Sequence, residues 1–179
     1  MDILFTDLDN TLIYSRKINI EEKITVEIYN DEENSFMSKL SFNILQELFN
    51  KMLLIPVTTR TIAQYSRINM GIKPKYALCA NGGILLKDGF IDKKWYNETL
   101  GIVSDSQQER EKAFKYLERD KRRNFECRNI EDLFIFTKCE KTYEVAEDLK
   151  EVLDPDLVEV LYNGSKLYIL PLRDRKSVV

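Results

Sequence analysis

The sequence predicts an α/β fold, with a parallel sheet as its core and an α+β module inserted into it. Three apolar runs of strand length, Ile3-Leu4-Phe5, Leu53-Leu54-Ile55-Pro56-Val57 and Tyr76-Ala77-Leu78-Cys79-Ala80, alternate with stretches of helical character. That rhythm favours a parallel sheet covered by crossover helices. Beyond Gly83 the pattern changes to short strands mixed with charged amphipathic helices, as in an antiparallel α+β module. With 179 residues and 44% hydrophobic content, the chain holds one ordinary domain or two small ones. The expected layout is a Rossmann-like core over 1–83 and 166–179, interrupted by an α+β segment over 84–165.

The elements follow in order. The first strand delivers the polar cluster Thr6-Asp7-Leu8-Asp9-Asn10-Thr11. Lys17-Ile18-Asn19-Ile20 and Ile24-Thr25-Val26-Glu27-Ile28 alternate apolar and polar residues, like the arms of a small hairpin with one covered face. Ser38 fits a helix N-cap, with Leu40, Ile44, Leu45 and Leu48 on one face of the helix that follows. Pro56 lacks a ladder N–H and is unusual inside a central strand. A second helix is expected after Arg60, through Gln64 and Ile68, ended by Gly71 and Pro74. Ile84–Ile91 reads as a hairpin around Asp88-Gly89. A long charged helix is expected over Ser106–Lys121, strands over Asn124–Cys127 and Leu133–Thr137, a helix over Tyr143–Leu153, and strands over Val158–Leu161 and Lys166–Leu170.

Asp7 and Asp9, one residue apart and launched from an apolar strand, are the chemically informative pair. Asp is rarely buried unless paired or bound to a cation, so the cluster points to a metal or phosphoryl-transfer site. A helix-loop-helix calcium loop is excluded, because Leu12 and Ile18 occupy the positions that need Gly and Glu. An ordinary Asx turn after a strand remains open on these residues alone. The chain contains no His. Ser-His and Cys-His nucleophile systems and His-ligated zinc are therefore excluded, and any chemistry runs on Asp, Lys, Thr or an oxygen-ligated metal. In a parallel sheet Asp7, Thr58 and Asn81 emerge at one carboxyl edge, where open sheets bind ligands.

Composition narrows the partners. A net charge of −3 with well-mixed charges gives no basic field for nucleic acid and no attraction to anionic membranes. The run Arg119-Asp120-Lys121-Arg122-Arg123 reads as a solvated helix end, where cations suit the dipole. Cys79, Cys127 and Cys139 form no close pair in sequence, so neither a disulfide framework nor a zinc ribbon is indicated. With no signal peptide or long apolar span, a cytoplasmic protein is expected. Trp95, Tyr96, Phe125, Phe134, Phe136, Tyr143 and Tyr168 read as packing residues, and none is assigned to a site.

Asp7-Leu8-Asp9-Asn10-Thr11-Leu12 after an N-terminal strand resembles the nucleophile motif of the haloacid dehalogenase superfamily of phosphatases and phosphotransferases. The apolar strand ending in Thr58, followed by Thr59-Arg60, is similar to the second motif. The sugar-phosphatase-like branch usually has Thr-Gly-Arg there, so Thr59 departs from the pattern and is expected to alter the turn. Asn81-Gly82 is similar to the sequence that precedes the large α+β cap of that branch, and Lys176 is the best match to the Lys of the third motif. The resemblance implies a nucleophile at Asp7 and an acid–base at Asp9, with magnesium held by Asp7 and the Asp9 carbonyl. It also implies phosphate contacts from Thr58, Lys176 and Asn81. Thr11 and Arg60 are secondary candidates. For Thr11, Asn81 and Arg60 the ordinary readings, a turn hydroxyl, a left-handed turn residue and a helix-start cation, stay equally open.

The resemblance thus implies a magnesium-dependent phosphatase acting on a small phosphorylated metabolite, with a sugar phosphate as the default substrate. A phosphoryl transferase or mutase shares the same first half-reaction, and a non-enzymatic binding module is the third reading. The sequence ends at Ser177-Val178-Val179, in what Asp174 marks as the first turn of a helix. In the resembled family a further strand presents acidic residues that complete the magnesium site. The chain therefore reads as part of a longer phosphatase, inactive or weakly active alone, with an exposed sheet edge through which self-association is expected.

Overall fold

The structure, a computed structural model, describes residues 2–172 and divides into two compact units, Met1–Trp95 and Tyr96–Val179. In the first unit the strands are β1 (Ile3–Asp7), β2 (Tyr14–Ser15), β3 (Lys23–Tyr29), β4 (Glu32–Ser38), β5 (Leu53–Val57), β6 (Tyr76–Cys79), β7 (Ile84–Lys87) and β8 (Phe90–Ile91), with helices α1 (Lys39–Phe49) and α2 (Ile62–Tyr65). The main sheet has the order β1-β5-β6-β7-β8. β1 runs parallel to β5 from Ile3↔Leu53 to Asp7↔Val57, and β5 runs parallel to β6 at Val57↔Leu78. β7 is antiparallel to β6, so the sheet is mixed, with the three expected parallel strands at one side.

Pro56 is accommodated by the ladder. Leu53 N–H donates to Asp2 O on the β1 side, and Thr58 N–H donates to Leu78 O on the β6 side. Alternation therefore aims the missing Pro56 donor toward β6, and the β5–β6 register holds only the pair Val57↔Leu78.

Above the sheet, Leu4, Leu8 and Leu54 pack with Leu45, Phe42 and Phe49 of α1 and with Val26 and Met37 of the β3–β4 hairpin. Ser38 caps α1 by accepting from Ser41 N–H, as expected. The buried stripe differs from the expected one: Leu40 is 70% and Ile44 47% exposed. Apolar residues surround this helix, and the stripe Phe42-Leu45-Phe49 carries the two aromatic rings, which bury more surface.

Residues 17–20 form no strand. β3 pairs instead with β4 across Asn30-Asp31, both left-handed (φ 51° and 60°), as a two-residue hairpin turn requires. β4 begins Glu-Glu-Asn-Ser, which has no alternation of apolar and polar residues. The helix expected through Ile68 is a single turn, capped by a Thr61/Gln64 capping box. It stops because Asn69 N–H donates to Val26 O and Ile68 bridges Glu27, drawing the chain onto β3.

Helix α3 (Lys93–Val103), which the sequence reading did not anticipate, starts where Asp92 Oδ1 accepts from Trp95 N–H. The second unit contains α4 (Gln107–Arg119), β9 (Arg128–Ile130), β10 (Phe134–Lys138), α5 (Thr142–Val152), β11 (Val158–Asn163) and β12 (Lys166–Pro171). Its sheet is antiparallel, ordered β11-β12-β10-β9. Ala113 and Leu117 of α4 and Val145, Ala146 and Leu149 of α5 pack with Ile135, Val158, Val160, Leu167 and Ile169 of this sheet. The strand expected at 124–127 lies at 128–130, because the carbonyls of Phe125 and Glu126 accept from the Thr137 side chain instead of a ladder. The basic run closes α4: Arg123 Nε donates to Leu117 O, and Arg122 pairs with Asp120 and Asp148.

Two expected boundaries change. Ile84–Ile91 is the predicted hairpin, but it extends the main sheet by pairing with β6, so the first unit ends at Trp95 and not at 83. Lys166–Pro171, expected in the core, pairs with β10 and β11 in the second unit. Among the described residues no helix is long and apolar enough to cross a membrane.

Candidate active site

The site is built by the ends of three parallel strands. Asp7 closes β1 opposite Val57, Thr58 follows β5, and Asn81 follows β6. Thr58 N–H donates to Leu78 O (2.8 Å), Ala80 N–H to Arg60 O (2.8 Å) and Asn81 N–H to Thr58 O (3.2 Å), which laces the last two strand ends together. Ala80 and Asn81 are both left-handed (φ 51° and 59°), so Asn81 has the turn conformation that its residue type tolerates. Thr59 is not left-handed, so the turn after β5 accepts Thr where the resembled motif has Gly.

Leu8 sets the directions of the two carboxylates. Its side chain is fully buried, and its carbonyl accepts N–H bonds from Thr11 (3.2 Å), Leu12 (2.9 Å) and Ile13 (2.9 Å). With Leu8 plugged into the core, its neighbours Asp7 and Asp9 are turned outward. Leu8→Ala is expected to cost about 2–5 kcal/mol. Denaturant unfolding measures this, and a change under 1 kcal/mol would show that the plug carries no weight.

Asp7 is exposed. Its Oδ2 accepts from the Thr11 hydroxyl at 3.3 Å. Asp9 is held quite differently. Arg60 donates Nε to Asp9 Oδ2 and Nη2 to Asp9 Oδ1, both at 2.8 Å, in a two-pronged contact that uses both carboxylate oxygens. The Thr58 hydroxyl oxygen accepts from Arg60 N–H (3.2 Å), and Thr58 is only 2% exposed.

Behind Arg60 lies Glu27 of β3, with a fully buried carboxylate. Its Oε2 accepts from Ser35 Oγ (2.6 Å), Asn34 Nδ2 (2.8 Å) and Arg60 Nη1 (3.0 Å), and its Oε1 from Arg67 Nε (3.1 Å). Burial pushes the Glu27 carboxyl up, but the bonds from Ser35 and Asn34 and the Arg60 charge outweigh it and hold it below its ordinary value. Burial likewise works against the Arg60 charge, and the contacts with Asp9 and Glu27 raise it overall.

Of the residues singled out in the sequence, Asp7 and Thr11 are in contact, Asp9 and Arg60 are paired, and Thr58 and Asn81 are joined through the backbone. Lys176 lies outside the described residues. Glu27, Arg67, Ser35 and Asn34 went unnoticed. Strand alternation puts Glu27 opposite Val26, on what reads as the solvent face, but register shifts on both sides of Glu27 turn it inward. Its only sequence signal was a lone acid between apolar residues of a strand. Among the described residues no three acidic or sulfur side chains gather into a metal cluster.

Neither a sequence profile of a known protein family nor a curated protein sequence matches this chain. Solved structures do. Sucrose-phosphatase from Synechocystis sp. PCC6803, in complex with sucrose and phosphate, aligns over 96% of this chain with a TM-score of 0.60 and 19% identity. Trehalose-6-phosphate phosphatase of Aspergillus fumigatus aligns over 99% at 0.52 and 15%, and Plasmodium falciparum IMP-nucleotidase over 95% at 0.53 and 13%. The chain spans 64%, 63% and 52% of the lengths of these three proteins, less than two thirds of each. At such identities the likeness is one of fold: this chain has the fold of these three solved structures.

Proposed function

We propose that this chain carries the nucleophile and the acid–base of a magnesium-dependent phosphatase that acts on a small phosphorylated metabolite. The observation that carries this reading is the contrast between two carboxylates one residue apart: Asp7 exposed at the carboxyl end of β1, and Asp9 tied to Arg60. An Asp7 oxygen attacks phosphorus, the bond from phosphorus to the ester oxygen breaks, and Asp9 delivers a proton to the departing oxygen. In the second step Asp9 takes a proton from water, whose oxygen displaces Asp7 and releases phosphate. Both Asp9 oxygens accept from Arg60 at rest, so before the first step Arg60 releases one of them and that oxygen takes up a proton from solvent, while the remaining bond keeps the carboxyl aimed. The Thr58 hydroxyl, Lys176 and Asn81 are the proposed contacts to the phosphoryl oxygens.

Magnesium suits the donors by chemistry. The chain has no His, and the site offers the Asp7 carboxylate and the Asp9 carbonyl, hard oxygens of the kind that ion takes. When bound, the ion neutralises charge that otherwise repels an anionic nucleophile from phosphate.

A sugar phosphate is the favoured substrate, because two of the three solved structures named above are sugar-phosphate phosphatases by name, and a nucleoside monophosphate is the comparison. Phosphate release by the whole protein is measured from both classes and from p-nitrophenyl phosphate, with magnesium and with a chelator. Magnesium-dependent release, faster from sugar phosphates, is expected. Transfer to an added alcohol without free phosphate indicates a phosphotransferase, and no turnover of any ester overturns the reading.

A further inference from the structure

We infer that Glu27 is a positioning residue that acts through Arg60 to fix the carboxylate of Asp9. The inference rests on the role proposed above for Asp9. A carboxylate withdrawn from water costs several kcal/mol unless its oxygens are fully partnered, and Glu27 is 1% exposed. Its partners are unequal in what they do. Ser35, Asn34 and Arg67 hold the carboxylate in place, and Arg67 is itself stacked over the Tyr29 ring, 4.3 Å from its centroid. Arg60 is the only one of them that continues to the site.

The planar shape of the guanidinium makes this connection directional. Nη1 is committed to Glu27 Oε2, Nη2 also approaches Ser35 Oγ at 3.4 Å, and the opposite edge, Nε with Nη2, grips Asp9. Fixing Nη1 fixes the plane, and the plane dictates where two parallel bonds to Asp9 can form. A Lys at 60 would offer a point charge with no such plane. The charges also balance: Asp9 and Glu27 against Arg60 and Arg67. Without the Glu27 charge, two cations face one half-exposed carboxylate, and Arg60 loses the anchor that orients it. The β3–β4 hairpin, which supplies Glu27, Asn34 and Ser35, thereby sets the geometry of a residue that follows β1.

The test uses Glu27→Gln, Ser35→Ala as a milder second variant, and Phe36→Leu as a control that removes buried volume from the same hairpin without touching the network. The first readout is hydrogen exchange of the Arg60 Nε–H by NMR, with the resonance assigned by its loss in Arg60→Lys and the solvent-exposed Arg16 as reference. Wild-type Arg60 Nε–H is expected to exchange more slowly than that of Arg16. Glu27→Gln should speed it about 10-fold, Ser35→Ala less in the same direction, and Phe36→Leu not at all despite a lower unfolding midpoint. The second readout is turnover, where kcat should fall about 10–100-fold in Glu27→Gln with KM within about twofold. Equal Arg60 protection in wild type and Glu27→Gln overturns the inference, as does the same acceleration in Phe36→Leu. If Glu27→Gln does not fold, Ser35→Ala decides by the same measurements. If the wild type turns over no phosphate ester, the phosphatase reading fails, and the exchange data alone decide whether Glu27 positions Asp9.

Discussion

Asp7→Asn is expected to abolish phosphate release, with a loss on the order of 10⁴–10⁶-fold, the range seen when a covalent catalyst loses a central residue. An amide oxygen carries no full charge and does not attack phosphorus, and an acyl phosphate cannot form on it. The fold should not suffer. Asp7 is exposed and its one described side-chain partner is the Thr11 hydroxyl, which an amide oxygen also satisfies. Circular dichroism and the unfolding midpoint should match wild type while turnover disappears. Near-normal activity in Asp7→Asn would remove the covalent mechanism altogether.

Asp9→Asn is expected to slow turnover roughly 10²–10⁴-fold, the usual worth of general acid–base assistance. Unlike the first substitution it should also destabilise. The amide presents one acceptor and one donor to a guanidinium that now makes two bonds to a carboxylate, and it leaves Arg60 and Arg67 facing Glu27 alone. The Asp9 side chain is 43% exposed, so solvent screens the loss. A cost of roughly 1–3 kcal/mol follows, between the values for exposed and buried pairs. Rapid mixing with p-nitrophenyl phosphate separates the two steps, because the activated leaving group needs little protonation. A burst of nitrophenolate followed by slow turnover is expected. An unchanged steady-state rate would show that Asp9 transfers no proton.

The strand ends were legible because they rest on short-range signals. An apolar run that stops at a polar residue marks the carboxyl end of a buried strand, and Asp7, Thr58 and Asn81 were placed at one edge by that alone. The Ser38 cap and the Asp88-Gly89 hairpin were equally local, each depending on a few neighbouring residues. What escaped were features decided by tertiary pairing. Glu27 is buried because irregular pairing with β4 reverses its side, and β4 has too little alternation to be seen. Nothing in 84–91 says that the hairpin adds to β6, and this moved the domain boundary to Trp95. Arg60, a secondary candidate that reads equally well as a helix-start cation, is tied to Asp9 only by the fold, which brings that residue, 51 positions away in sequence, onto its guanidinium.

The central claim is that a phosphoryl group passes through Asp7, and borohydride trapping tests it most directly. Asp9→Asn is mixed with substrate and magnesium, quenched, and treated with borohydride, which reduces an aspartyl phosphate to homoserine. The tryptic peptide Met1–Arg16 contains both Asp7 and position 9, and fragment-ion mass spectrometry distinguishes them. Homoserine at position 7, dependent on substrate and absent from Asp7→Asn, is the predicted result. Sustained phosphate release with an unmodified residue at position 7 would contradict it.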